Sequence, residues 1–363
     1  MRFTLHWDAI ATTRPADPTD PNDPAYAWEA DDDVLQALRG AGISVVLQLL
    51  GTPGWANRGA APNVAPVDSA DFHDFAAAAA QRYPWVRRWV IWNEPNQRLW
   101  LRPTTPAVYT TRLLNPAYSA IHATIAGAQV AGGATAPRGG AGGVSPVAWI
   151  AGMKKAHARL DAYAHNPYPL NPKRETPTTG GCGHCQTITM ATIGSLVSLV
   201  ARDFPRARIW LTEWGYQSNP PDRLLGVSPG LQARYIGQAD WLASRTPRVD
   251  MLLQFLYQDE TALSRWQSGL VTAAGVEKPA FAAFQLPLAA TVKGATATVW
   301  GQLRAPEAGT SAILERRVGS SWRVLARLSA ATGGFVSWQG SLPRGSIVRL
   351  SAGGLVSPPL AVV

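Results

Sequence analysis

Glu94 and Glu213 are the residues whose setting points to chemistry. Each closes a short apolar run beside tryptophan, Glu94 in "IWNEPN" (91–96) and Glu213 in "IWLTEWGY" (209–216). One carboxylate in an aromatic setting is ordinary; two suggest a pair working on one substrate. Breaking a glycosidic bond needs such a pair. One carboxyl must hold a proton near neutrality to give to the leaving oxygen, and the other must be ionised to attack or stabilise the anomeric carbon. At a separation of about 5–5.5 Å the second attacks directly and configuration is retained. The negative charge of the attacking group helps hold the proton on its neighbour. Once the attacking group is esterified that repulsion ends, and the neighbour becomes a competent base toward water. Glu94 and Glu213 are therefore the expected catalytic residues.

Composition is compatible with this chemistry. Fifteen tryptophans stand against nine tyrosines and eight phenylalanines. Indole faces stack on the C–H faces of sugars, although cores use the same residues. The net charge of +9 comes mostly from scattered arginines. A solvated surface is the reading, with no nucleic-acid partner; an acidic glycan as substrate is compatible with it. No run of eighteen apolar residues occurs, so no membrane span is expected. The start of the sequence shows no basic stretch followed by an apolar one, so no signal peptide is seen.

Cys182 and Cys185, in "GGCGHCQ" around His184, have the CxxC spacing of a redox motif or half a zinc site. Zinc needs four ligands, and no second pair accompanies them. Their flanks form a Gly/Thr loop rather than a strand-to-helix turn. A small loop disulfide in an exported protein is expected in preference to a redox role. No metal or cofactor is called for.

The elements that must position the two glutamates follow from periodicity. Strand candidates are residues 2–7, 44–50, 88–94, 128–134, 160–166, 208–214 and 250–257. Helical patterns lie between them: 30–42, 68–83 with Asp68 as N-cap, 105–124, 144–160, 187–204 and 228–245. Such alternation predicts an α/β fold with a parallel sheet covered by helices. Near residue 288 the pattern changes to short strands of period two, the mark of a small all-β sandwich. The division is thus 1–287 and 288–363. In "SWRVLARLS", Trp322, Val324, Ala326 and Leu328 are expected to share one face. Trp300, Trp322 and Trp338 are expected to point inward, giving this part a structural or spacer role in preference to the alternative, glycan binding.

"IWNEPN" resembles the acid/base signature of the retaining (β/α)8 glycoside hydrolases of clan A. With "TPGWAN" and "LTEWGY" the likeness is nearest to glycoside hydrolase family 39 and related cellulase-like families. The resemblance covers about residues 1–287. It implies a TIM barrel with Glu94 as acid/base on the fourth strand and Glu213 as nucleophile on the seventh. Asn93 would hydrogen-bond the sugar 2-hydroxyl. His165 and Tyr168, in "AHNPYP", match the sixth-strand position that orients the nucleophile or the sugar, and Trp266 would be a platform under the ring. Arg2 would be the arginine of the second strand. By this numbering "RFTLHW" is strand two, so the barrel lacks its first strand and helix, and Met1 reads as an internal start or a truncation point.

The expected function is a retaining hydrolase of β-glycosidic bonds, monomeric and secreted or cell-surface, acting on an oligo- or polysaccharide or a glycoside. A catalytically inactive carbohydrate-binding protein of the same fold is the alternative; a thiol–disulfide protein using Cys182 and Cys185 is a third reading. Trp7 and Trp55 lie near strand ends where they would line the cleft or pack. Asp259 and Glu260, in "YQDE", read as solvated loop acids.

Overall fold

A computed structural model describes residues 1–182, 185–304 and 310–362. His184, inside the CxxC motif, lies outside the described residues. The chain packs as two compact units. The first comprises Met1–Tyr168, Gly181–Trp214 and Pro247–Leu253; the second comprises Pro169–Gly180, Gly215–Thr246 and Gln254–Val363.

The first unit is built on a parallel sheet. Its strands are β1 (Arg2–His6), β2 (Val46–Leu50), β3 (Arg88–Ile91), β4 (Gln129–Thr135), β5 (Ala162–His165), β6 (Arg208–Trp214) and β7 (Val249–Gln254), hydrogen-bonded in that order. Between them run α1 (Trp7–Ile10), α2 (Glu29–Gly40), α3 (Ser69–Arg82), α4 (Pro106–Tyr109), α5 (Asn115–Thr124), α6 (Pro146–Lys155) and α7 (Ile193–Asp203). Sequential parallel order with helical crossovers is the topology of a (β/α)8 barrel, here without its first βα unit. All seven strands expected from the sequence are present.

Local chemistry explains these elements. Asp68 caps α3 by accepting from the Ala70 amide at 2.9 Å, as its residue type suggests. The alanine run of α3 is buried, together with Phe72 and Phe75. Inside the sheet, Ala131, Ala134, Ala162 and Ala164 pack with Val46, Val90 and Trp210. Small residues on β4 and β5 leave room for the indole. The helix expected over 105–124 is instead interrupted by a π-helical turn, Thr110–Leu114, between α4 and α5. Pro116 lies just beyond it, and its missing N–H cannot continue the i→i−4 ladder.

The second unit holds α8 (Pro229–Arg245), α9 (Pro279–Gln285) and two antiparallel sheets. One sheet has the order β12 (Phe335–Ser341), β9 (Thr296–Gln302), β8 (Leu288–Lys293). The other runs β11 (Ser321–Ser329), β10 (Ser311–Val318), β13 (Ile347–Ala352), β14 (Leu355–Val356), with β15 (Leu360–Ala361) also on β13. Leu288, Ala297, Val299, Ala312, Leu314, Val336, Val348 and Leu350 form their shared core.

Two expectations here are corrected. The pairing of β10 with β11 slips between Leu314 and Glu315, so Leu314 faces Ala326 while Glu315 faces Val324. The extra residue, Leu325, makes a β-bulge that reverses the pleat. Ala326 and Leu328 pack on the core, whereas Val324 is 58 % exposed. Trp338 packs inward, but Trp300 lies outside against Phe335, and Trp322 pairs with Arg317 on the outer side.

Asp259 is the third correction. It is buried rather than solvated, in an ion pair with Lys278 at 2.7 Å. Cys182 and Cys185 form a disulfide, with their Cα atoms 5.3 Å apart. No helix among the described residues is long and apolar enough to cross a membrane.

Candidate active site

Glu94 follows β3 by three residues, and its backbone is unusual. Trp92 has φ +69° and Glu94 φ +36°, left-handed values that a side-chain-bearing residue adopts at a cost of about 1–3 kcal/mol each. Surrounding bonds hold them there. The Trp92 amide donates to the Leu49 carbonyl and the Glu94 amide to that of Ala134, both at 2.9 Å. The Trp92 carbonyl accepts from Gln48 Nε2 at 2.8 Å, and Gln48 Oε1 accepts from Thr4 Oγ1 at 2.9 Å. A register shift in β4 between Gly132 and Thr135 turns the Ala134 carbonyl toward Glu94. Gly133, at φ +97° and closely faced by the Tyr163 ring, has no room for a Cβ.

Glu213 lies near the end of β6, 7 % exposed. Its Oε1 pairs with Arg2 Nη2 at 2.6 Å, and its Oε2 accepts from the Tyr168 hydroxyl at 2.9 Å. Burial, then the charge of Glu213, push the Tyr168 phenol well above its ordinary pKa, so it remains a donor.

The two carboxyls belong to one network. Asn166 Nδ2 donates to Glu94 Oε1 at 3.2 Å, and Asn166 Oδ1 accepts from Thr212 Oγ1 at 2.8 Å. Thr212 thereby fixes which end of the amide meets Glu94. The Glu94 carboxyl is pushed up to about 7, first by burial and second by the negative charge of Glu213. Asn166, Arg2 and a hydrogen bond from the Trp100 indole act in the opposite direction. Asn93 is buried, and its Oδ1 has no hydrogen-bond partner among the described residues; the same holds for Arg2 Nη1.

The other residues singled out from the sequence stand as follows. His165 is fully buried with both ring nitrogens occupied. Nε2 lies 3.1 Å from the Ile188 carbonyl, which only accepts, so Nε2 donates and Nδ1 accepts from Thr135 Oγ1 at 2.8 Å. Burial pulls its pKa down to about 4, leaving the imidazole neutral. It supports the end of β5, and its neighbour Asn166 makes the contact to Glu94. Trp7 is fully buried, stacked on Phe75 and edge-on to Trp55; it packs and does not line a cleft. Trp55 is half-buried, donates to the Ala11 carbonyl at 2.7 Å and carries Arg14 over its ring. Trp266 belongs to the second unit, where it is 38 % exposed and meets Phe255 edge-on.

Sequence reasoning passed over Asn166 and Thr212, though both adjoin residues it named. Among the described residues no group of three or more His, Cys, Asp and Glu could hold a metal ion.

No protein-family model matches the chain, and no curated protein does. Solved structures do. The bifunctional glucanase-xylanase CelM2 from a metagenome library superposes with a TM-score of 0.52 at 12 % identity, covering 97 % of this chain and 92 % of that one. Fungal β-1,4-galactanases superpose at 0.54 and 16 % identity, over 78 % and 86 %. For a Bacteroides uniformis β-glucuronidase the values are 0.46 and 11 %, and the chain spans 45 % of that protein's length. These likenesses show the fold, a TIM barrel lacking one unit.

Proposed function

We propose that the protein is a retaining glycoside hydrolase acting on a β-linked glycan or glycoside. One observation carries this reading. Glu94 and Glu213, on strands three steps apart, share a buried network in which Glu94 is pushed up to about 7 while Glu213 is ion-paired with Arg2. Glu94 would hand its proton to the glycosidic oxygen as the Glu213 carboxylate attacks the anomeric carbon, and the aglycone leaves. Arg2 and Tyr168 aim the attacking carboxylate. Esterification removes the charge of Glu213, Glu94 becomes easier to ionise, and it takes a proton from the water that cleaves the ester. Names of the similar structures, a glucanase-xylanase and galactanases, support a β-linked substrate. The Cys182–Cys185 disulfide supports work outside the reducing cytosol. Within clan A the sequence motifs favour a family 39-like or cellulase-like member.

The test is mass spectrometry after treatment with a panel of 2-fluoro-β-glycosides. One covalent adduct on Glu213 is expected. An adduct elsewhere, or a product of inverted anomeric configuration, would contradict the mechanism. Glycan binding without adduct or turnover would favour the inactive carbohydrate-binding alternative.

Asn166 offers a pH test of the same site. Its donor bond favours the ionised form of Glu94, so Asn166→Ala removes a restraint on the proton. The alkaline limb of kcat/KM, set by loss of the Glu94 proton, should move to higher pH by about one unit, the worth of one hydrogen bond to a charged group. An alkaline limb unmoved or shifted downward would disconnect Asn166 from the acid.

A further inference from the structure

The net positive charge is not spread evenly. Residues 288–363 hold eight basic and two acidic side chains, six of the nine net charges. Arg304 is paired with Asp240, and Arg349 with Glu315. Four others, Arg316, Arg317, Arg323 and Arg327, lie on the β10–β11 hairpin, and none makes an ion pair among the described residues.

Their arrangement has an energetic cost. Arg316 stands directly opposite Arg323 in the antiparallel register. Like charges opposed at about 5 Å between Cβ atoms destabilise a sheet. Arg316 Nε is moreover buried without a hydrogen-bond partner among the described residues. On the other side of the hairpin Arg317 faces Trp322, whose ring is covered by the Arg349 guanidinium 4.2 Å from its centroid. Exposed Val324 continues that side. Arginines on an edge strand guard against pairing with another chain, which accounts for Arg323 and Arg327 on β11. It does not account for Arg316 and Arg317, because β10 lies between β11 and β13. An anion bridging the Arg316 and Arg323 guanidiniums would relieve the opposition.

We propose that the β10–β11 hairpin is a binding site for an acidic polysaccharide, one bearing carboxylate or sulfate groups, with Arg316 and Arg323 as its contacts and Arg317, on the opposite face, adding to its positive field. Planar guanidiniums pair bidentately with either group. The choice of a glycan over another polyanion rests on the glycosidase reading. The site would hold the protein on charged glycan without taking part in bond cleavage.

The experiment measures binding of the full chain, so that it does not depend on turnover. Polygalacturonate, chondroitin sulfate, neutral dextran and single-stranded DNA are compared in affinity electrophoresis at several salt concentrations. The expected result is retention by one or both acidic polysaccharides and none by dextran. The triple variant Arg316→Gln/Arg317→Gln/Arg323→Gln should bind about tenfold or more weakly, with a shallower salt dependence. A control triple, Arg39→Gln/Arg87→Gln/Arg88→Gln, removes arginines that line a separate surface hollow and should bind as the parent does. Equal loss in both triples, no retention of the parent, or tighter binding of DNA than of either polysaccharide would overturn the proposal. Hydrolysis of small aryl glycosides should be the same in the hairpin triple as in the parent. If no glycoside is cleaved while the arginine-dependent retention persists, the catalytic reading fails and the binding site stands.

Discussion

Glu94→Ala is expected to separate substrates by their leaving groups. A dinitrophenolate departs without a proton, so formation of the Glu213 ester should be nearly unaffected. Its hydrolysis, now without a base, should slow by about 10²–10⁴-fold. A natural glycan also needs the acid, and both of its steps should fail. Azide needs no base; added to Glu94→Ala, it should restore turnover and give a glycosyl azide of retained configuration. Glu213→Ala should behave differently. No ester can form, so loss should be about 10⁴-fold or more for every leaving group, consistent with removal of a nucleophile that acts as a unit with its partner. Azide entering the vacated space would then give the opposite anomer. Steady-state kinetics with two leaving groups and product anomers by NMR decide the matter. Azide products of the same configuration from both variants would exclude the assigned division of roles.

The difference between the two glutamates originates in their neighbours. Glu94 has one amide donor and an indole against burial and a facing anion; Glu213 has a guanidinium and a phenol. Arg2 is the hinge of this asymmetry, because its ion pair with Glu213 neutralises part of the charge that raises Glu94. The backbone contributes as well. Left-handed Trp92 and Glu94 turn the acid away from the strand direction, and the Gln48 and Ala134 bonds hold that turn in place.

Much of this was legible in the sequence because it is periodic or local. Seven apolar runs gave seven strands, since a parallel sheet buried on both faces cannot hide its composition. Asn-Glu-Pro and Thr-Glu-Trp marked the two carboxylates. Asn166, which meets Glu94, was passed over beside His165, and alternation sends the side chains of these neighbours in opposite directions. A shift of one residue decides which reaches Glu94, and the sequence carries no mark of that shift. The bulge at Leu325 was hidden for the same reason, and it reversed the face of Trp322 and Val324. Asp259 was misread because its partner, Lys278, is nineteen residues distant and belongs to the start of α9. Composition also concealed the hairpin arginines: the total charge is visible in a count, but their opposition across two strands is a matter of register.

Lys278→Met should be the most destabilising single change in the second unit. Lys278 Nζ reaches Asp259 at 2.7 Å, Ser218 Oγ at 2.9 Å and the Gln267 carbonyl at 3.2 Å, and Asp259 also accepts from the Gly269 amide at 2.8 Å. One ammonium thus ties three loop segments together. Removing it leaves a buried carboxylate without its counter-ion, a loss of about 3–5 kcal/mol. Asp259→Asn should be milder, because the uncompensated group is then a lysine that can lose its proton. Burial already pulls the Lys278 pKa down, and the Asp259 charge is what pulls it back up. Without Asp259 the folded pKa falls further below the unfolded one. The unfolded chain then binds more protons between those two values, so stability rises with pH across that window. Urea unfolding at pH 7 and pH 9 should show the Asp259→Asn deficit shrinking while that of Lys278→Met does not. The double variant Lys278→Met/Asp259→Leu, with neither charge left to bury, should recover much of the loss. Equal, pH-independent deficits in both single variants would mean that the pair is solvated in solution and carries little of the unit's stability.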